Sequence, residues 1–342
     1  MKAVVIREHG DLDRLLFEDR AEPEPGPKEV LIRVRACALN HLDTWVRRGV
    51  PGHKFPLPLI PGCDVAGVVE RLGPGASGVS VGDEVVVAPG FGCGVCEHCA
   101  AGDDNLCRHY GIFGETCDGG CAETIRVPDR NCIQKPENLD FFQAAAMPLV
   151  FLTAWHMLVE RARVLPGMNL LIQAVGSGVG TAALQIAKLH GARVIATAGT
   201  DAKLERALEM GADQTVNYKR DDFLKAVKQF TGGQGVDIAI DHVGEPTIGR
   251  SIAALRKGGT LVTCGATAGF KLETDLRLIF FKSLSLLGST MGSLGEVHKV
   301  MNLAREGLLK PVIHSVLPMS EIKEAHRLLK DREVFGKVVV HP

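Results

Sequence analysis

Between residues 170 and 290 the chain alternates between two apolar patterns, and this alternation constrains its fold more than any other feature. LLIQAV (170–175), ARVIATA (192–198), QTVNY (214–218), VDIAIDHVG (236–244), GTLVTCGA (259–266) and SLSLLGST (283–290) are short apolar runs of strand length. Helical segments separate them. GVGTAALQIAKLHG (178–191) ends at Gly191, and a second segment starts at Thr200 or Asp201 and runs to Met210, with Gly211 behind it. A third opens at Asp222 and carries Phe223, Val227 and Phe230 on one face; Pro246 suits the first turn of the next. A strand followed by a helix and another strand folds as a right-handed crossover, which gives a parallel sheet with helices on both faces. Six such strands predict a doubly wound α/β dinucleotide fold.

The turn after the first of these strands reads AVGSGVG (174–180). Gly176, Ser177, Gly178, Val179 and Gly180 open a helix, where backbone N–H groups and the positive end of the helix dipole suit a pyrophosphate. The spacing departs from G-x-G-x-x-G, because Val175 and Ser177 stand where the first two glycines fall if Gly180 is the third. An NAD-binding chain places an acid at the end of the second strand to bond the ribose 2′-hydroxyl. Here that end reads ATAGT. With no acid there, a 2′-phosphate is tolerated, and Lys203 and Tyr218 are placed to meet it. The expected cofactor is NADPH, with NADH as the alternative.

The flanking regions differ in style. KAVVIRE, EVLIRVRACAL, DVAGVVERLG and DEVVVAPG are Val-rich strands broken by the turns PEPGP (23–27) and LGPGASG (72–78). After the alternating region come a helix over about 294–306, the strand VIHSVL, a helix from Ser320 and the strand in GKVVVHP, which is expected to rejoin the first domain. The expected division is a β domain over 1–130 carrying a lobe at 91–108, a nucleotide domain over 131–311, and a return to the β domain over 312–342. SLSLLGST is expected at a sheet edge, where an exposed apolar strand invites pairing with a second copy.

CGVCEHCAAGDDNLC (93–107) places Cys93, Cys96, Cys99 and Cys107 as C-x2-C-x2-C-x7-C, a spacing that reads as a tetrahedral zinc site. Four thiolates fill the shell and leave no open position for water or substrate, so such a zinc is structural. The other six cysteines lie in apolar or Gly-rich contexts and are expected to be mostly buried. Lys+Arg 39 against Asp+Glu 40 gives a net charge of -1, which offers no footprint for nucleic acid or an anionic membrane. The longest apolar runs are strand-sized and MKAVVIREHG lacks the pattern of a signal peptide, so a cytoplasmic protein is expected.

Taken together, PEPGPKEVLIRVRACALNHLDTW (23–45), PLIPGCDVAGVVERLGPG (58–75), VGDEVVV (81–87), the cysteine cluster, AVGSGVG and FGKVVV (335–340) resemble the medium-chain dehydrogenase/reductase superfamily over essentially the full length. The resemblance implies a GroES-like β domain, a Rossmann domain and an active site in the cleft between them. It also implies a dimer or tetramer, and a structural-zinc lobe matching the cysteine cluster. The catalytic-zinc ligands of the family's alcohol dehydrogenases map onto Asn40, Cys63 and Leu149, and their proton-relay residue onto Leu42. Two of these three are poor zinc ligands. The pattern is similar to the zinc-free quinone reductase branch, which also has Asn at the Asn40 position and whose phosphate-binding Lys and Tyr match Lys203 and Tyr218. By the same resemblance His41 faces the cofactor pyrophosphate and Thr153 the nicotinamide carboxamide.

Asn40, Asp43, Cys63 and Asp64 are therefore the candidate catalytic residues, with the Asn40 amide as a hydrogen-bond donor to substrate. The expected activity is NADPH-dependent reduction of quinones or α,β-unsaturated carbonyl compounds, since conjugate hydride addition needs no Lewis acid. One alternative is a zinc alcohol dehydrogenase whose metal site is rebuilt from Cys63, Asp64 and Asp43 with Asn40 or His41. Another is a protein that binds NADPH without turnover.

Overall fold

The structure, a computed structural model, describes residues 1–342. They form two units: Met1–Leu149 together with Ser293–Pro342, and Val150–Gly292.

The second unit holds a six-stranded sheet in the order Gln214–Asn217, Arg193–Ala198, Asn169–Ile172, Val236–Ile240, Leu255–Thr263, Ser285–Gly288. Every neighbouring pair is parallel. In chain order this is the 3-2-1-4-5-6 arrangement of a doubly wound fold, with helices at Gly178–Leu189, Asp201–Glu209, Phe223–Phe230, Ile248–Ala253 and Leu276–Phe281 between the strands. Leu171, Ile195, Val216, Phe223, Val227, Ala239 and Ile252 pack into one of its cores. The first strand stops at Ile172, short of the apolar run, because Ala174 turns into the left-handed region at φ 50. The Ser285–Gly288 strand lies at the sheet edge, as its sequence implies.

The first unit is built on a seven-stranded sheet whose centre is Glu29–Ala38 against Asp64–Leu72. The terminal strand Lys337–His341 pairs antiparallel with Glu29–Ala38 and parallel with Ile313–Pro318, so the tail does rejoin the first part of the chain. The boundaries differ from those read in the sequence. Cys132–Gln134 is a strand of the first sheet, paired with Glu84–Val87. The Leu294–Arg305 helix also belongs there, with Leu294 N–H donating to Asp104 (2.8 Å) and Asn138 donating to the Ala304 carbonyl (2.9 Å). A helical period shows which face is apolar but not which body covers it.

No helix is long and apolar enough to cross a membrane. Of the six cysteines outside the cluster, Cys37, Cys63 and Cys121 are buried, whereas Cys117, Cys132 and Cys264 are only half-buried.

Candidate active site and metal centre

Four of the candidate catalytic residues come together in the first unit, around a fifth that the sequence reading passed over. Asn40 precedes the His41–Arg48 helix, and Cys63 and Asp64 lead into the Asp64–Leu72 strand. Lys337 reaches them from the terminal strand. Its ammonium group is buried and donates to Asp64 Oδ2 (2.9 Å) and Asn40 Oδ1 (2.5 Å). Asn40 Nδ2 donates to the same Asp64 oxygen (2.9 Å) and lies 3.4 Å from both Cys63 Sγ and the Ala38 carbonyl. Asp64 Oδ1 accepts from the Leu149 N–H (2.7 Å), so the position where the family's third metal ligand falls contributes a backbone amide.

Asp43 completes the frame. Its carboxylate accepts from the Asn40 N–H (2.7 Å) and the Gly62 N–H (2.9 Å) and ties the helix start to the PGCD turn. Burial pushes this carboxyl up to about 6, against the pull of those two amides and of Lys337. Gly62 is obligatory in the turn: its φ is +98, and a Cβ there would lie 2.6 Å from Cys37 Sγ and 2.8 Å from Cys121 Sγ. Burial also pushes the Cys63 thiol well above its ordinary range.

Two consequences follow for the expected chemistry. An amide NH2 has two hydrogens, and those of Asn40 are directed at Asp64, Cys63 and Ala38. The expected donation from Asn40 to substrate is thus replaced by an internal role. Nor do the residues suit a second metal ion. All four oxygens of Asp43 and Asp64 accept hydrogen bonds, the Cys63 thiol is held neutral, and the cation beside Asp64 is Lys337. The sequence carries no clear signal for Lys337: it is the first residue of the Lys337–His341 strand, as Lys2 is of Lys2–Ile6, yet Lys2 is exposed and Lys337 is buried.

The cysteine lobe behaves differently. The sulfurs of Cys93, Cys96, Cys99 and Cys107 all lie within 4.8 Å of one another. A tetrahedral ion with metal–sulfur bonds of about 2.3 Å needs sulfurs about 3.8 Å apart, so this set fits zinc. The Cys93 and His109 amides point at Cys107 Sγ (3.4 and 3.3 Å), outer contacts that steady a thiolate. The Val95 and Cys96 amides pull the Cys93 thiol down to about 6, which favours the ligating form.

In the second unit, Ser177 caps the Gly178–Leu189 helix by accepting from the Gly180 N–H (2.9 Å). Gly180 permits the helix to approach the strand, since a Cβ there would meet the Ala174 carbonyl oxygen at 2.6 Å and Val175 Cα at 2.7 Å. At the end of the Arg193–Ala198 strand, the Tyr218 hydroxyl and Lys219 Cε lie 2.7 and 3.1 Å from the place a Cβ on Gly199 would take. The nearest acid, Asp201, is engaged by Arg220 at both oxygens (2.9 Å each) and by Asn217 (2.9 Å). Lys203 is half-buried in the Asp201–Glu209 helix, Thr153 is buried in the Pro148–Trp155 helix, and His41 is the first residue of its helix, half-buried.

Residues 26–137 match the alcohol dehydrogenase GroES-like domain and residues 178–306 the zinc-binding dehydrogenase domain. Quinone oxidoreductase of Homo sapiens is 31% identical over 348 residues, covering 99% of this chain and 97% of the relative. An alcohol dehydrogenase of Geobacillus stearothermophilus is 30% identical over 342 residues, with 99% of each covered. The crystal structure of an NAD-dependent alcohol dehydrogenase is 50% identical, covers all of both chains and superposes with a TM-score of 0.96. With two family domains and full-length relatives of these kinds, the chain belongs to the medium-chain dehydrogenase/reductase superfamily and is an oxidoreductase.

Proposed function

We propose that the protein reduces quinones or α,β-unsaturated carbonyl compounds with NADPH, without a catalytic metal. One observation carries this reading. Where the family's catalytic-metal ligands fall stand an asparagine, a neutral thiol and a leucine, and the adjoining carboxylate is already balanced by Lys337. A bound reduced nicotinamide supplies the hydride. Gly176, Ser177, Gly178, Val179 and Gly180 hold its pyrophosphate, with His41 and Thr153 as further contacts by family resemblance. Lys203 and Tyr218 receive the 2′-phosphate, and the engagement of Asp201 by Arg220 supports the absence of a ribose-binding acid. The Asn40–Asp43–Cys63–Asp64–Lys337 cluster acts as a rigid floor beneath the substrate and moves no proton itself. The four-cysteine lobe holds one structural zinc.

The test is NADPH and NADH oxidation with a set of enones and quinones, beside alcohol oxidation with NADP+ and NAD+ and a zinc count. Enone or quinone turnover preferring NADPH is expected, with about one zinc per chain that is lost in Cys93→Ser. The relatives named as alcohol dehydrogenases favour a second reading, a zinc alcohol dehydrogenase. Alcohol oxidation with about two zinc ions per chain, one of them surviving Cys93→Ser, would put that reading first. Tight NADPH binding with no turnover on any substrate would indicate a binding protein.

The partners of this reading are small molecules and a second copy of the chain; the charge balance offers no footprint for nucleic acid or an anionic membrane. A homodimer or homotetramer is supported by the edge strand Ser285–Gly288 and by Leu276, Phe280, Phe281 and Leu286, all exposed nearby in sequence. Sedimentation at micromolar concentration is expected to show the oligomer; a stable monomer would refute it.

A further inference from the structure

Beneath the glycine loop of the second unit lies a buried polar chain that the proposed function leaves unused. Thr197 Oγ1 donates to Gln173 Oε1 (2.6 Å), Gln173 Nε2 to Ser251 Oγ (3.1 Å), and Ser251 Oγ to Asp241 Oδ2 (2.7 Å). Asp241 Oδ1 accepts from the Val243 and Gly244 amides (3.0 and 3.1 Å) and from Thr247 Oγ1 (3.0 Å). The next residue, His242, is 6% exposed. Its carbonyl accepts from the Thr267 N–H (3.2 Å), which fixes the base of the side chain, and its Nε2 lies 2.9 Å from Ser177 Oγ. Its Nδ1 is buried and has no partner.

This arrangement resembles a Ser–His–Asp relay only in composition. Asp241 is occupied by four other donors, nothing orients Nδ1, and burial lowers the pKa of the ring and keeps it neutral. What the histidine does is fix the Ser177 hydroxyl. That hydroxyl accepts from the Gly180 N–H, and the Ser177 carbonyl accepts from Thr181 N–H (2.9 Å). Of the four leading amides, that of Ser177 bonds the Ala174 carbonyl (3.0 Å) and that of Gly180 the Ser177 hydroxyl, so those of Gly178 and Val179 are left for an oxyanion. A free hydroxyl rotor would compete for the same oxyanion and loosen the cap. Resting on the dinucleotide reading above, we propose that His242 is a positioning residue for the cofactor: through Ser177 it holds the loop in the form that receives the pyrophosphate.

The test uses the zinc-loaded full chain, with NADPH and NADH titrated by fluorescence. His242→Ala is expected to weaken dinucleotide binding about tenfold while changing kcat at saturating cofactor less than about twofold. His242→Gln, whose amide reaches the Nε2 position, is expected to recover most of the affinity. Ser177→Ala/His242→Ala is expected to bind no more weakly than Ser177→Ala alone, because both changes remove one contact. In the cofactor-free protein labelled with 15N-histidine, Ser177→Ala is expected to shift the His242 Nε2 resonance. Parent-like affinity in His242→Ala, additive losses in the double variant, or an unmoved resonance would each overturn the role. A parent that binds neither dinucleotide would overturn the cofactor reading, and this role with it, whatever the resonance does.

Discussion

Replacing Lys337 by methionine is expected to lower the stability of the first unit by about 3–5 kcal/mol. The size follows from what the ammonium leaves behind. Asp64 is fully buried and shares Oδ2 between Lys337 and Asn40. Without the lysine its charge keeps two amide donors but loses the cation that balances it, and the Asn40 carbonyl oxygen loses its donor. A buried ion pair of this kind is not itself a large net stabiliser, because desolvating both charges offsets most of their attraction. The double variant Asp64→Asn/Lys337→Met therefore separates the two effects. A neutral amide at position 64 still accepts the Leu149 N–H, so the double variant is expected to recover at least half of the loss. Urea unfolding followed by fluorescence measures both. A single variant within about 1 kcal/mol of the parent would show that Lys337 does not balance Asp64 and would reopen that position for a metal.

Much of the fold was legible because it rests on local patterns. The six strands of the second unit follow from apolar runs punctuated by Gly, Asp and Thr at helix boundaries, and their parallel pairing from the helices between them. The gathering of the cysteine cluster was legible because its four cysteines fall within fifteen residues at close spacing. The polar cluster was legible only in part. Asn40, Asp43, Cys63 and Asp64 sit in two motifs of matching family pattern, whereas Lys337 meets Asp64 across 273 positions of chain. No periodicity reports such a pairing; burial of a charge implies a partner without saying which. The same limit hid the placement of residues 131–149 and of the Leu294–Arg305 helix, whose apolar faces would suit either unit. It also hid His242 and His326, polar residues whose burial depends on packing between elements distant in sequence.

His326 sets the second large effect, an acid-sensitive stability. It lies on the buried face of the Ile322–Lys330 helix and is fully enclosed, and neither ring nitrogen has a partner. The Arg47 guanidinium, also fully buried, donates to the Gly10 carbonyl (2.9 Å) and Asp11 (3.2 Å) through Nη1, while its Nε and Nη2 are unpartnered. Burial first, and the Arg47 charge second, push the His326 pKa down from 6.5 to about 3. The unfolded chain thus takes up a proton near pH 6.5 that the folded chain refuses until about pH 3. Since the unfolded state binds more protons in that window, stability is complete above pH 6.5 and falls as the pH is lowered through it. Between pH 7.5 and 4.5 this group alone is expected to remove about 3 kcal/mol. Asp43 acts in the opposite sense, because its raised pKa lets the folded state hold a proton between about 6 and 3.8, and loss of zinc from the cysteine lobe in acid adds a further change. Both contributions cancel in a comparison of the parent with His326→Leu, which fills a similar volume and carries no titrating group. Urea unfolding at pH 7.5 and 4.5 is expected to show the parent losing about 3 kcal/mol more than the variant across that interval. Equal losses in the two proteins would mean that His326 titrates alike in the folded and unfolded chain and would overturn this prediction.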